Sequence, residues 1–181
     1  GDEIDTLAQS LRVGGYSLVK ITPAHLELLT QQIGPDEASR LTESVVIGGE
    51  NLTAEQIAFW QENGARNGAS TLLFNEYGPT ETVVGWVVFE ASQWNGQGSV
   101  PIGRAIRNTD VDVLDQHLEP VPTGALGELY IGGVGVARGY LNRPDVTAEK
   151  FLPNPFSKEP GARFYRSGDV VRYLDGGQME F

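Results

Sequence analysis

The stretch Thr71-Leu-Leu-Phe-Asn-Glu-Tyr-Gly-Pro-Thr-Glu-Thr82 reads as an apolar strand that runs into a polar turn. Thr71–Phe74 is predicted as a short strand, and Tyr77-Gly78-Pro79 directly after it as a turn. This puts Thr80 and Glu81 at the strand's carboxyl end, where open α/β sheets bind ligands. A Thr hydroxyl there bonds a phosphate oxygen, a Glu holds Mg²⁺ on that phosphate, and Tyr77 offers a flat face to a base. The same residues also read as a polar loop opened by a Gly-Pro turn, and pattern alone leaves both readings standing.

Upstream, helix and strand signals alternate. Ile4, Leu7, Ala8 and Leu11 form the stripe of an amphipathic helix that Gly14-Gly15 ends. Ser17–Ile21 is a strand candidate. Thr22-Pro23 then reads as N-cap and first helical residue, with Leu26, Leu29 and Ile33 on one face and Gly34 at the far end. Val45–Ile47 is a second apolar run, closed by Gly48-Gly49. Thr53-Ala-Glu-Gln56 is a capping box that opens a helix through Ile57, Ala58 and Trp60, ending near Gly64. Helices between short strands predict, over residues 1–100, an α/β part built on a mostly parallel sheet with covering helices. Over 101–181 the pattern changes to short alternating runs: Val111–Leu114, Glu128–Ile131, Phe164–Arg166, Val170–Leu174 and Gln178–Phe181. Turn signals at Pro122-Thr-Gly124, Ser167-Gly168 and Asp175-Gly-Gly177 separate them, and only Pro144–Phe151 looks helical. A small antiparallel, β-barrel-like subdomain is expected there.

Composition removes several function classes. With 13 Lys+Arg against 24 Asp+Glu the formal charge is −11 over 181 residues, which argues against nucleic-acid binding, since that needs a basic face. One bound nucleotide is still allowed, because local geometry overrides global charge. Zero Cys excludes disulfides, thiolate zinc sites and cysteine nucleophiles, and fits a cytoplasmic location. No apolar run approaches the roughly 18 residues of a membrane span, so no membrane partner is expected. The 23 Gly and 10 Pro point to many turns and backbone-lined sites.

Two further segments invite chemistry. Gly127-Glu-Leu-Tyr-Ile-Gly-Gly-Val-Gly-Val-Ala-Arg-Gly-Tyr140 suggests a dinucleotide fingerprint, but after Gly133-Val-Gly135 the third glycine would fall at Arg138 and no βαβ unit follows. Glycines serving tight turns is the better reading. Tyr165-Arg-Ser-Gly-Asp169 is a strand, a turn and an acid; the Asp suits a ribose diol, and equally suits a turn that stabilises its own backbone. His25 and His117 lack ligand-type neighbours in sequence and read as ordinary surface or interface residues.

Taken together, Val46-Ile-Gly-Gly-Glu50, Asn75–Glu81, Gly127–Leu141, Asn142-Arg-Pro-Asp145, Thr147–Phe151 and Tyr165–Asp169 resemble the adenylation domains of nonribosomal peptide synthetases. These belong to the adenylate-forming enzymes, with acyl-CoA ligases and luciferases. The resemblance implies that an amino acid and Mg-ATP give aminoacyl-AMP and pyrophosphate. The acyl group then passes to the phosphopantetheine thiol of a peptidyl carrier domain, one of several synthetase domains in cis. It also implies roles. Thr80 bonds the phosphate, and Glu81 holds Mg²⁺. Tyr77 packs on adenine beside Gly49 and the backbone at Glu76, Asp169 grips both ribose hydroxyls, and Phe181 lies near the nucleoside. Ser167 stands where Thr is commoner and keeps the hydroxyl. The family's phosphate loop with its lysine, its Asp for the substrate α-amino group and its small C-terminal lobe are not in these 181 residues, so the chain is expected to be a central fragment, inactive alone. The competing readings are an acyl-CoA or aryl-acid ligase fragment and a non-catalytic binding module with the same fold.

By the same resemblance the side chain of the amino acid meets Lys20, Val46, Gly48, Glu76, Val84 and Gly85, a set similar to that of asparagine-activating domains. A Lys and a Glu facing one small cavity suit a primary amide: the amine donates to its carbonyl oxygen and the carboxylate accepts from its nitrogen. A carboxylate side chain would meet Glu76 with like charge. Glutamine differs by one methylene, worth only ~1–3 kcal/mol of discrimination. The alternative is a buried Lys20–Glu76 ion pair with no ligand between.

Overall fold

A computed structural model of the chain describes residues 2–66 and 69–181, with the backbone alone for 2–6 and 66. The stripe residue Ile4 therefore lies outside the described side chains. The chain divides into two compact units, 1–76 with 89–101 and 77–88 with 102–181. Residues 77–88, counted with 1–100 on sequence grounds, thus go with the second unit.

The first unit alternates helix and strand: α1 (Asp2–Gly14), β1 (Leu18–Ile21), α2 (Pro23–Thr30), β2 (Ser44–Gly48) and α3 (Ala54–Asn63). A two-stranded ribbon of β3 (Ala65–Arg66) and β4 (Ala69–Ser70) follows, then β5 (Leu72–Tyr77). β1, β2 and β5 pair in parallel, Lys20 opposite Val46, Val46 opposite Phe74 and Gly48 opposite Glu76. The start signals hold: Thr22 caps α2 with Pro23 in its first turn, and Gln56 Oε1 accepts the Thr53 N–H at 3.1 Å at the head of α3. The strand period of two then sorts the side chains. Val45, Ile47 and Leu73 join Leu11, Leu26, Leu29, Ile57 and Trp60 in one core, with Val19 and Ile21 packed against it. Trp60 satisfies its indole by donating to Thr30 Oγ1 at 2.8 Å. Asn75 also faces inward, 3% exposed, and its amide donates to the Val100 and Pro101 carbonyls at 3.2 and 2.9 Å. The first residue of the deciding motif is therefore a structural pin.

β6 (Val87–Glu90) carries the chain from the second unit back to the first. Its residues Val87 and Val88 pair antiparallel with β7 (Arg104–Ala105), two strands the sequence pattern did not announce and an exception to the parallel rule. The rest of the second unit comprises β8 (Thr109–Leu114), β9 (Leu126–Gly133), α4 (Pro144–Lys150), β10 (Phe151–Pro153), β11 (Arg163–Tyr173) and β12 (Met179–Glu180). These strands pair antiparallel in the linear order β10–β11–β9–β8, with β12 on β11. Antiparallel pairing is as expected; ring closure is not part of that order.

One local expectation fails. Ser167-Gly168 is not a turn between two strands, because Phe164–Arg166 and Val170–Tyr173 belong to the single strand β11. The register against β9 shifts between Arg166 and Val170, and Gly168 takes φ +87°. This is a β-bulge, and glycine signals a bulge and a turn by the same freedom of φ.

The glycine run at 132–135 serves close approach, as read. A Cβ on Gly135 would stand 2.4 Å from the buried Trp86 ring, and one on Gly133, at φ +109°, 2.8 Å from the Asn108 carbonyl oxygen.

Candidate functional site

In the first unit the strand alternation that buries Val45, Ile47 and Leu73 turns Lys20, Val46, Gly48 and Glu76 to the opposite face of the parallel sheet. The four sit at or near the carboxyl ends of β1, β2 and β5, the edge where α/β sheets take ligands. Leu18, 58% exposed, shares that face, so helices do not close it. Lys20 Nζ and a Glu76 carboxylate oxygen are in direct contact, with side-chain exposures of 47% and 15%. The two form an ion pair. Gly48 is tight: a Cβ would stand 2.6 Å from the Glu76 carbonyl oxygen. A cleft of about 340 Å³ opens beside it, lined by Leu7, Lys20, Ile21, Thr22, His25 and Gly48. His25, exposed as expected, hydrogen-bonds Thr22 Oγ1 through Nδ1 at 2.7 Å. Gly49 follows at φ +91°.

In the second unit Tyr77-Gly-Pro79 turns the chain back on itself. A Cβ on Gly78 would stand 2.6 Å from the Gly85 nitrogen and 2.8 Å from the Val83 carbonyl oxygen, so only glycine allows this loop. The Thr82 N–H closes the turn onto the Pro79 carbonyl at 3.1 Å. Thr80 is exposed at its tip, Val84 is 54% exposed and Gly85 has φ +97°.

Glu81, beside Thr80, is enclosed by tyrosines. Tyr140 donates its hydroxyl to Glu81 Oε1 at 2.5 Å, and the Tyr165 hydroxyl lies close to the carboxylate. Burial raises the Glu81 pKa, but these hydroxyls, a backbone N–H and the Lys150 charge together hold it below the ordinary carboxylate range. The group is ionised. Among the described residues no three His, Cys, Asp or Glu converge, so no all-protein metal cage exists. Mg²⁺ asks for less, one or two carboxylates with phosphate oxygens and water, and Glu81 fits that demand.

Asp169 stands on the β11 bulge. Its N–H donates to Ser167 Oγ at 3.0 Å, and Ser167 donates to the Leu129 carbonyl at 2.7 Å, which fixes the bulge. Tyr77 donates its hydroxyl to Asp169 Oδ2 at 2.5 Å, while its ring meets Phe181 edge-on with centroids 5.6 Å apart. Burial above all, then the bond to Asp169, pushes the Tyr77 pKa far up, so it stays a neutral donor. The second unit thus brings Tyr77, Asp169 and Phe181 together, with Glu81 in a separate tyrosine cluster.

A family model described as AMP-binding enzyme matches residues 2–141. The chain belongs to the AMP-binding enzyme family. Within it the likeness is to the adenylation domains of nonribosomal peptide synthetases, which are ligases. The chain is 40% identical over 181 residues to tyrocidine synthase 3 of Brevibacillus parabrevis, covering 99% of this chain and 3% of that protein. It is 43% identical over 165 residues to bacitracin synthase 3 of Bacillus licheniformis, covering 91% of this chain and 2% of that one. The fold matches the N-terminal subdomain of Klebsiella oxytoca NpsA in complex with 3-hydroxybenzoyl-AMSN, with TM-score 0.81 and 22% identity over 99% of this chain and 44% of that one. This AMP-binding chain therefore spans a small share of the synthases it matches. No helix among its described residues is long and apolar enough to cross a membrane.

Sequence reasoning missed Tyr140 and Tyr165 around Glu81. Both lay inside the quoted motifs, yet nothing in their spacing pointed to a carboxylate 59 or more residues away.

Proposed function

We propose that this chain is the middle part of an amino-acid-activating adenylation domain whose substrate is L-asparagine. In the reaction a carboxylate oxygen of the amino acid attacks the α-phosphorus of ATP, forming the acyl–phosphate bond as the bond to pyrophosphate breaks. A carrier-domain phosphopantetheine thiol then attacks the acyl carbon, and AMP leaves. Anions meet at the first step, so the site must neutralise charge and align groups rather than supply a nucleophile. Bound Mg²⁺ would supply that neutralisation at the phosphates. Glu81, ionised and held by Tyr140, is the residue for the metal, and Thr80 beside it for a phosphate oxygen. Asp169 and Tyr77 take the ribose and adenine, with Phe181 against Tyr77; Gly49 and the Glu76 backbone belong to the adenine side by resemblance alone.

The observation that carries the substrate reading is that Lys20 and Glu76 meet on the free face of the parallel sheet, at its carboxyl edge, with Val46 and Gly48. An asparagine amide entering between them takes a hydrogen bond from the amine and gives one to the carboxylate, replacing one interaction by two. The half-exposed Lys20 stem must swing aside for this, and a four-carbon chain is free to do so. Val84 and Gly85 are assigned to the same substrate by resemblance. Both synthases are many times longer than this chain, which supports carrier and other synthetase domains in cis, and a cytoplasmic setting belongs to the same reading.

The reaction class is tested by ATP–pyrophosphate exchange with the full-length protein. Amino-acid-dependent exchange is expected. Thioester formation from coenzyme A and a carboxylic acid lacking an α-amine would instead mark an acyl-CoA or aryl-acid ligase, and nucleotide binding without exchange a binding module.

A further inference from the structure

A carboxylate on a loop holds a divalent cation well only if its own orientation is fixed, because an unsupported ligand spends binding free energy on ordering itself. Glu81 is fixed at both ends. Its main-chain carbonyl accepts the Ala137 N–H at 2.8 Å, and its side chain accepts the Tyr140 hydroxyl at Oε1. The segment that delivers both donors is itself anchored. Arg163 donates to the carbonyls of Ala137 and Arg138, each at 3.0 Å, and Thr147 Oγ1 on α4 accepts the Tyr140 N–H at 2.9 Å. Gly139 takes φ +139° to allow the turn, and a Cβ there would collide with Thr147. The Tyr140 ring lies edge-on to Phe151 at 5.6 Å, and Phe151 packs on Tyr165 at 5.2 Å. The Ala-Arg-Gly-Tyr segment is thus a rigid arm that ends in a hydroxyl aimed at one carboxylate oxygen.

We propose that Tyr140 is a positioning residue for the metal: its hydroxyl holds the Glu81 carboxylate in the orientation that meets a divalent cation. This rests on Glu81 being the metal residue. Tyr140→Phe keeps the ring contact with Phe151 and removes only the donor, so the fold loses little while the carboxylate loses its orientation. Paramagnetic resonance of Mn²⁺ titrated into the full-length protein with ATP, without amino acid, reads the effect directly. Mn²⁺ binding is expected to weaken about tenfold in Tyr140→Phe. ATP binding without metal and the KM for the amino acid should stay as they are. Para-aminophenylalanine at position 140 restores a donor and should recover most of the affinity. Wild-type Mn²⁺ affinity in Tyr140→Phe, while Glu81→Gln loses it, overturns the positioning role and leaves the Glu81 assignment intact. Wild-type affinity in Glu81→Gln itself overturns that assignment, and the positioning role with it.

Discussion

Asp169 receives the Tyr77 hydroxyl on Oδ2 and is braced from behind by Ser167, so its carboxylate is oriented before any nucleotide arrives. Asp169→Asn keeps an oxygen for Tyr77 but swaps an acceptor for a donor on the side proposed to meet the ribose diol. The KM for ATP should rise about tenfold or more, the cost of a lost hydrogen bond to a charged group, while the melting temperature hardly moves. Steady-state kinetics at saturating amino acid checks this, and an unchanged KM for ATP would remove Asp169 from the nucleotide site. Glu81 and Asp169 stand out in sequence as candidates because each lies in a dense local motif. The hydroxyl bonds that orient them were not legible there, although Tyr77 itself was, for its ring. Tyr140 reaches Glu81 across 59 positions and Tyr77 reaches Asp169 across 92, and only tertiary folding sets such distances. The Lys20–Glu76 pair lies between: resemblance brought the two together, and the strand period with parallel pairing explains why they share a face.

Strand β11 is where local reading and folded element part. Ser-Gly-Asp carries the residues of a turn, and no local signal tells a turn from a bulge when both need positive φ at glycine. What decides is the partner: β9 continues along both halves of β11, from Gly132 opposite Phe164 to Leu126 opposite Arg172. Gly168→Ala isolates the effect, because the new Cβ meets open space and the whole cost is the φ of +87°. About 1–2 kcal/mol of stability should be lost, seen as a drop of a few degrees in melting temperature, with a weaker grip on ATP as Asp169 shifts. A melting curve and an ATP titration that both match the wild type would mean the bulge does not set Asp169. The helix starts, by contrast, were legible to the residue, although α2 ends at Thr30 and not at Gly34. Thr22-Pro23 and Thr53…Gln56 are start signals that work within one turn, and the structure satisfies them locally.

At the scale of the whole molecule, two units each carry their own core and their own candidate residues. The first, with its parallel strands, presents Lys20 and Glu76; the second, antiparallel, presents Glu81 and Asp169. Period and turn signals made the change of architecture near residue 100 visible, whereas the placement of 77–88 with the second unit depends on long-range packing of Tyr77 and Trp86 with strands that come later in the chain. The central claim is that the Lys20–Glu76 pair reads an amide. The most direct test is ATP–pyrophosphate exchange by the full-length protein against all proteinogenic amino acids, for wild type and Glu76→His. The wild type should prefer L-asparagine, with glutamine behind it by roughly tenfold to a hundredfold, and Glu76→His should move activity toward aspartate. A preference for an apolar or aromatic amino acid, or a Glu76→His profile identical to wild type, would contradict it.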